Sequence, residues 1–149
     1  MSAKPSSSIT LQAEVSELER LNRWIESLCA HDRIPPPLAF RVDLCLTEVV
    51  TNVINYAYPA EPVPREATPR ELAVHCFFSP EELVFELVDH GIGFDPTAYV
   101  LPAPPTSLED AEIGGRGLRL VRQYVGSMRY RRDGRDNHLE LRFPRQAVH

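Results

Sequence analysis

The chain has 149 residues, of which 43% are hydrophobic and 25% charged, with a formal net charge of −5 at pH 7. Those values describe one ordinary globular domain, long enough to bury its own core. No apolar run approaches the roughly 20 residues of a membrane span. The opening MSAKPSSSIT carries one lysine and no apolar stretch of the kind that directs secretion. A cytoplasmic chain without a membrane segment is therefore expected. The acidic balance argues against a general nucleic-acid binder. The charge is uneven, however: residues 1–115 carry 7 basic and 18 acidic side chains, residues 116–149 carry 9 and 3. Cys29, Cys45 and Cys76 lie far apart among apolar residues, and the five histidines are scattered. Buried, reduced thiols are expected rather than disulfides or a zinc site. Lys4 is the one lysine among sixteen basic residues, which excludes a Walker P-loop, whose glycines are followed by a lysine.

Residues 1–8 read as a disordered N-terminus, and Ile9 to Val15 as an edge strand. Leu18, Leu21, Ile25 and Leu28 repeat at helical spacing with Trp24 beside them, predicting a first amphipathic helix. Pro35-Pro36-Pro37 stops it and starts a second, long and largely buried helix from Leu38 to about Ala57. Prolines 59, 62, 64 and 69 then mark a loop. Glu71–Phe78 and Leu83–Asp89 read as strands joined by Ser79-Pro80-Glu81-Glu82. The stretch from Phe94 to Ile113 has little periodicity, and loops of that length inside a compact domain are functional or disordered. A third helix is expected from Arg116 to Val125, after Gly114-Gly115, and a hairpin of Ser127–Arg132 and His138–Phe143 around Asp133-Gly134. The domain spans residues 9–143, with 144–149 as a tail. This order predicts an α+β two-layer sandwich, helices on one face of a mixed, mostly antiparallel sheet.

Three segments carry the chemistry. On the long helix Glu48, Asn52, Asn55 and Tyr56 interrupt the apolar residues at spacings of four, seven and eight, and so share one stripe. A solvated polar face is the plain alternative, but this stretch lacks the Lys and Arg that such a face usually has. A carboxylate and an amide one turn apart can share a hard cation and a nucleophile's proton. Next, the apolar run Leu83–Val88 ends in Asp89, with Gly91 and Gly93 following. An ordinary turn is possible there. Equally, the acid can accept from an exocyclic amine, while a glycine lets backbone approach a flat ligand. Third, Gly114-Gly115-Arg116-Gly117-Leu118 precedes a helix, where free backbone N–H groups suit phosphate oxygens. A hinge with a helix cap is the alternative.

Taken together, Glu48-x-x-x-Asn52, Asp89-x-Gly91-x-Gly93 and Gly115-x-Gly117 resemble the GHKL nucleotide-binding superfamily, which has the Bergerat fold. The closest likeness is to the short anti-sigma-factor serine kinases of the RsbW and SpoIIAB type. It rests on Thr47-Glu48-Val49-Val50-Thr51-Asn52 with Tyr56-Ala57-Tyr58, on Asp89 to Pro96, and on Gly114 to Val121, and it spans Ile9 to Phe143.

The resemblance implies ATP and magnesium, with Asn52 holding the metal and Asn55 in the same nucleotide site. It implies Glu48 as general base, Asp89 on the adenine amine, and Gly91 and Gly93 shaping the adenine pocket. Phe94 to Ile113 would form a lid, with Gly115, Arg116 and Gly117 near the phosphates. An arginine of the first helix would reach the terminal phosphate, Arg20 first and Arg23 second. Tyr56 stands where many relatives have histidine, and Asn137-His138 where some offer a threonine to the adenine. The implied function is phosphorylation of a STAS-domain anti-sigma-factor antagonist in a partner-switching pathway. The implied partners are that antagonist, a sigma factor or other regulator, and a second copy as a homodimer. The alternative is a non-catalytic, nucleotide-gated module that sequesters a regulator. A complete histidine kinase would need a dimerisation helix pair for which the residues before Leu46 leave no room. A gyrase- or MutL-like machine would need a transducer domain.

Overall fold

The computed structural model describes residues 4–58, 69–98 and 113–145, apart from the side chains of residues 113–117. Its elements in chain order are β1 (Ser7–Gln12), a 3₁₀ turn (Val15–Glu17), α1 (Leu18–His31) and α2 (Pro36–Asn52). A π turn (Val53–Ala57), β2 (Glu71–Phe78), β3 (Glu82–Asp89), α3 (Ile113–Tyr124), β4 (Ser127–Asp133) and β5 (Asp136–Pro144) follow. The strands form one sheet in the order β1-β2-β3-β5-β4, every neighbouring pair antiparallel. This is the expected α+β sandwich.

Side-chain alternation decides which sheet face is covered. Leu72, Val74 and Cys76 of β2, Leu83, Phe85 and Leu87 of β3, and Leu141 and Phe143 of β5 are buried. They pack against Leu21 and Ile25 of α1, Val42, Leu46, Val49 and Val50 of α2, and Val121 of α3. Phe85 sits at the centre, edge-on to Trp24, Phe78 and Phe143 with ring centroids 6.0 to 6.4 Å apart. Those contacts add to the burial of each ring.

Helix limits follow local chemistry. Arg33 takes a left-handed φ of 55°, and Ile34 N–H donates to the Cys29 carbonyl at 2.9 Å, which closes α1. Pro36 sits at the start of α2, where the fixed φ of proline suits the first turn. Several bounds differ from expectation, among them the start of α3, at Ile113, and of β5, at Asp136. β1 runs from Ser7 to Gln12, held at its start by a bond from the Trp24 indole to Ser7 Oγ at 3.1 Å. α2 leaves α-geometry at Asn52 and widens into the π turn. Pro144 belongs to β5, and Arg145 bonds to the Glu81 and Ser79 carbonyls and to Asp32. That arginine ties the chain's last described residue to the α1–α2 turn.

Burial pushes the Cys45 thiol up to about 12 and the Cys76 thiol up to about 11, and also raises Cys29. The thiolate is the reactive form. Iodoacetamide at pH 8 should therefore modify none of the three in the folded protein while it modifies all three in urea, as read by mass spectrometry. Fast native labelling of Cys45 or Cys76 would contradict this core.

Candidate functional site

In β3 the buried parity of Leu83, Phe85 and Leu87 continues to Asp89, so a carboxylate ends the strand on the helix-covered face. Asp89 is 7% exposed, and a buried carboxylate is costly unless donors reach it. Oδ1 accepts from Gly91 N–H and from Asn137 Nδ2, each at 2.9 Å. Among the described residues both donors fall on Oδ1, which leaves Oδ2 as an acceptor.

The glycine loop after Asp89 is sewn to the end of α2. Ile92 N–H donates to the Ala57 carbonyl at 2.8 Å. A Cβ on Gly91 would lie 2.3 Å from that same oxygen, so the approach requires glycine. Tyr58, just past the π turn, adds a second tie. Its hydroxyl donates to the Glu71 carbonyl at 2.6 Å and accepts from His90 N–H at 3.0 Å. Burial raises the Tyr58 pKa and keeps this donor protonated. His90 in turn meets Asp136 at 2.5 Å, which fastens the loop to the start of β5. Gly93 lies under the side chain of Arg132, whose carbons and guanidinium would come within 3.3 to 3.5 Å of an added Cβ. The glycine there makes room for a neighbouring side chain of the protein itself.

Asn137, which stands where some relatives were expected to offer a threonine, joins Asp89 in one hydrogen-bond network. It stands opposite Asp89 in the β3–β5 register and is 6% exposed. Nδ2 donates to Asp89 and to the Ile92 carbonyl at 2.9 Å, while Oδ1 accepts from Tyr130 at 2.5 Å and Arg132 at 2.9 Å. The signal was available: Asn137 precedes Leu139, Leu141 and Phe143 at alternate positions, so it shares their inward parity.

The α2 stripe divides in two. Glu48 and Asn52 are half-buried, whereas Asn55 and Tyr56, carried by the π turn, are exposed. π turns cluster at functional sites because the extra residue re-aims side chains. Glu48 lies close enough to the Cys45 thiol to add to its upward shift, after burial. Cys45 itself points at the Val121 carbonyl, 4.0 Å away, so this part of α2 faces α3. Among the described residues neither Glu48 nor Asn52 has a side-chain hydrogen-bond partner.

The structure brings the other expected residues together less completely. Gly114 and Gly115 fall in the first turn of α3 rather than ahead of it, Gly117 follows that turn, and the Arg116 side chain lies outside the described residues. So does most of the expected lid, residues 99–112. What precedes that stretch is anchored: Asp95 accepts from Thr97, and Arg122 of α3 donates to the Pro96 carbonyl at 2.6 Å. Arg20 is engaged with Glu17 at 2.9 Å and with the Thr10 carbonyl, and Arg23 with Glu19 at 2.6 Å.

The site and the sheet define a class of protein. The profile of the histidine kinase-like ATPase domain matches residues 11–143, and the chain belongs to that family. It is 33% identical over 119 residues to the serine/threonine-protein kinase BtrW of Bordetella bronchiseptica, covering 79% of each chain. Among solved structures it resembles the RsbU and RsbW domains of Rv1364c from Mycobacterium tuberculosis, with a TM-score of 0.63 at 14% identity. That match covers 91% of this chain and 30% of the other, so the likeness is to part of a longer protein. The histidine kinase domain of the Erythrobacter litoralis EL346 blue-light activated histidine kinase matches with a TM-score of 0.50 at 20% identity, over 97% of this chain and 65% of that one. The Bergerat-type fold and the RsbW-type resemblance are both borne out.

The meeting of loop and helix end gives a stability test. Gly91→Ala drives a methyl group into backbone that is itself hydrogen-bonded, and should cost about 1–3 kcal/mol in urea unfolding. Gly93→Ala meets a movable arginine side chain and should cost less. Equal stability of Gly91→Ala and the parent would refute the close approach.

Proposed function

We propose that the chain is a magnesium-dependent ATP phosphotransferase that phosphorylates serine or threonine on a STAS-domain antagonist, and that it also sequesters a sigma factor or similar regulator. Membership of an ATPase-domain family supports the nucleotide, and likeness to a named serine/threonine kinase supports the acceptor. A second copy of the chain completes the expected set of partners.

The observation that carries the reading is Glu48, a half-buried carboxylate without a partner among the described residues, one turn before Asn52. A module that only binds has no use for such a base. The residues also fit the ligands. Asp89 keeps Oδ2 as an acceptor for the adenine amine, and the α3 glycines offer backbone N–H groups to phosphate. Magnesium keeps several waters and takes few protein oxygens, so the Asn52 amide would suffice to hold it. Magnesium held there would supply positive charge to offset the charge developing on the phosphates. Glu48 accepts the proton of the attacking hydroxyl through a carboxylate oxygen. Arg20 would exchange Glu17 for the terminal phosphate.

One observation favours the alternative, a nucleotide-gated module without transfer: Arg20 and Arg23 are both paired with neighbouring acids.

Asn52→Ala should fold normally yet lose magnesium-dependent ATP binding in calorimetry, and unchanged affinity would remove Asn52 from the metal. Glu48→Gln should still bind ATP and the antagonist but transfer labelled phosphate about a hundredfold more slowly or worse. Near-parental transfer by this variant would remove Glu48 from the mechanism. A parent that binds ATP and transfers nothing to any STAS partner would hand the function to the gated module.

A further inference from the structure

We infer that Asn137, locked by Tyr130 and Arg132, is the positioning residue that makes Asp89 select a base bearing an exocyclic amine. The inference rests on the reading of Asp89 as the residue that contacts the base.

The orientation of the Asn137 amide is fixed from both ends. Arg132 Nη1, 2.9 Å from one end, can only donate, so that end is the oxygen. Tyr130 donates to the same oxygen at 2.5 Å. The other end faces an ionisable carboxylate and the Ile92 carbonyl, both at 2.9 Å, and the NH₂ group satisfies the two together. Turning the amide over would set oxygen against two oxygens on one side and N–H against the Arg132 N–H on the other. Three hydrogen bonds, those to Arg132, Asp89 and Ile92, would be lost in a site where both Asp89 and Asn137 are buried, since only the Tyr130 hydroxyl can accept instead.

The consequence falls on Asp89. With Gly91 N–H and Asn137 Nδ2 both on Oδ1, the carboxylate presents its second oxygen as an acceptor and offers no hydrogen. Such an edge bonds an amine of the base and opposes a carbonyl in the same place. Asp89 alone does not ensure this, because a carboxyl group that gains a proton can serve either partner. Arg132 has a further part. It also donates to the Gly91 carbonyl at 2.9 Å, and so pins β4 to the glycine loop on which Asp89 depends.

The test compares ATP with inosine triphosphate, which replaces the amine by a carbonyl and turns the adjacent N1 from acceptor to donor, inverting that edge of the base. Affinities are measured by calorimetry with magnesium present. The parent should prefer ATP by about a hundredfold or more, since a site built to accept from an amine rejects the analogue lacking it. Asn137→Asp sets two carboxylates at hydrogen-bond distance, where they share a proton. Asp89 can then donate as well as accept, and the preference should contract by roughly tenfold or more. A residue that only stabilised the fold would weaken both nucleotides alike and leave their ratio unchanged. Asp89→Asn serves as the reference for loss of base contact. Should Asn137→Asp fail to fold, Tyr130→Phe/Arg132→Met removes the lock from outside and should contract the ratio by about threefold or more.

An unchanged ratio in the folded Asn137 variant, beside a collapsed ratio in Asp89→Asn, overturns this inference and leaves the base contact standing. The same holds for an unchanged ratio in the double variant when it stands in. A parent that does not prefer ATP overturns the base contact and the inference with it.

Discussion

The hydrogen bond from Ile92 N–H to the Ala57 carbonyl holds the site in register. The last carbonyls of a helix have no partner inside it and must find one elsewhere. Here the partner is the backbone of a loop, and the two chains can approach only because residue 91 has no Cβ. Asp89 lies two residues before that glycine, and Asn52 lies five residues before Ala57. The strand-end acid and the helix stripe are therefore joined by a short path of backbone. Tyr58 reinforces the path by bonding both to His90 at the end of β3 and to Glu71 at the start of β2.

The rest of the core is apolar, which sharpens the meaning of its polar exceptions. Asp89 and Asn137 are the buried polar residues among those described, and they are bonded to each other. A polar pair in such surroundings is favourable only when its members are satisfied, because a donor or acceptor left unpaired there costs more than in water. Tyr130, Arg132, Gly91 and Ile92 supply the remaining bonds. Departures from an apolar core are expected at functional sites, and this one lies at the open end of the β3–β5 pair rather than under the middle of a helix.

The fold was legible because its signals are periodic. Alternation over residues 71–89 and helical spacing over 18–28 are properties of the local sequence, and β2, β3 and α1 appear where those patterns put them. The prolines before α2 and the glycine of the β4–β5 turn are equally local. The π turn was not legible. The sequence 53–57 is compatible with an α-helix, and its widening goes with the contact to Gly91 and Ile92, thirty-odd residues away. Asn55 and Tyr56 were accordingly placed on one stripe with Glu48 and Asn52, although they are exposed where those two are half-buried. Gly93 illustrates the same limit from another side. Its motif pointed to room for a ligand, but the neighbour it admits is Arg132, brought there by a hairpin that only tertiary structure aligns. The bond network of Asn137 is of this kind too, since sequence gives its parity but not its partners.

The two ends of the site differ in what holds them. At the Asp89 end the polar groups are tied together by hydrogen bonds that the folded protein makes on its own. At the other end, Gly114 and Gly115 occupy the first turn of α3 and Gly117 follows it. Each glycine inside a helix costs about 1 kcal/mol relative to alanine, so this helix start is intrinsically weak. As at any helix start, the first N–H groups have no partner within the helix, and that first turn itself contains no acidic residue. An anion answers both deficits at once, by accepting from those N–H groups and by placing negative charge at the positive end of the dipole. The Asp89–Asn137 pair is thus fixed by the sheet, whereas the start of α3 has more to gain from an anion. Binding free energy spent on ordering that turn is not available as affinity. An anion held there would act on the helix that packs beside α2, which carries Glu48 and Asn52.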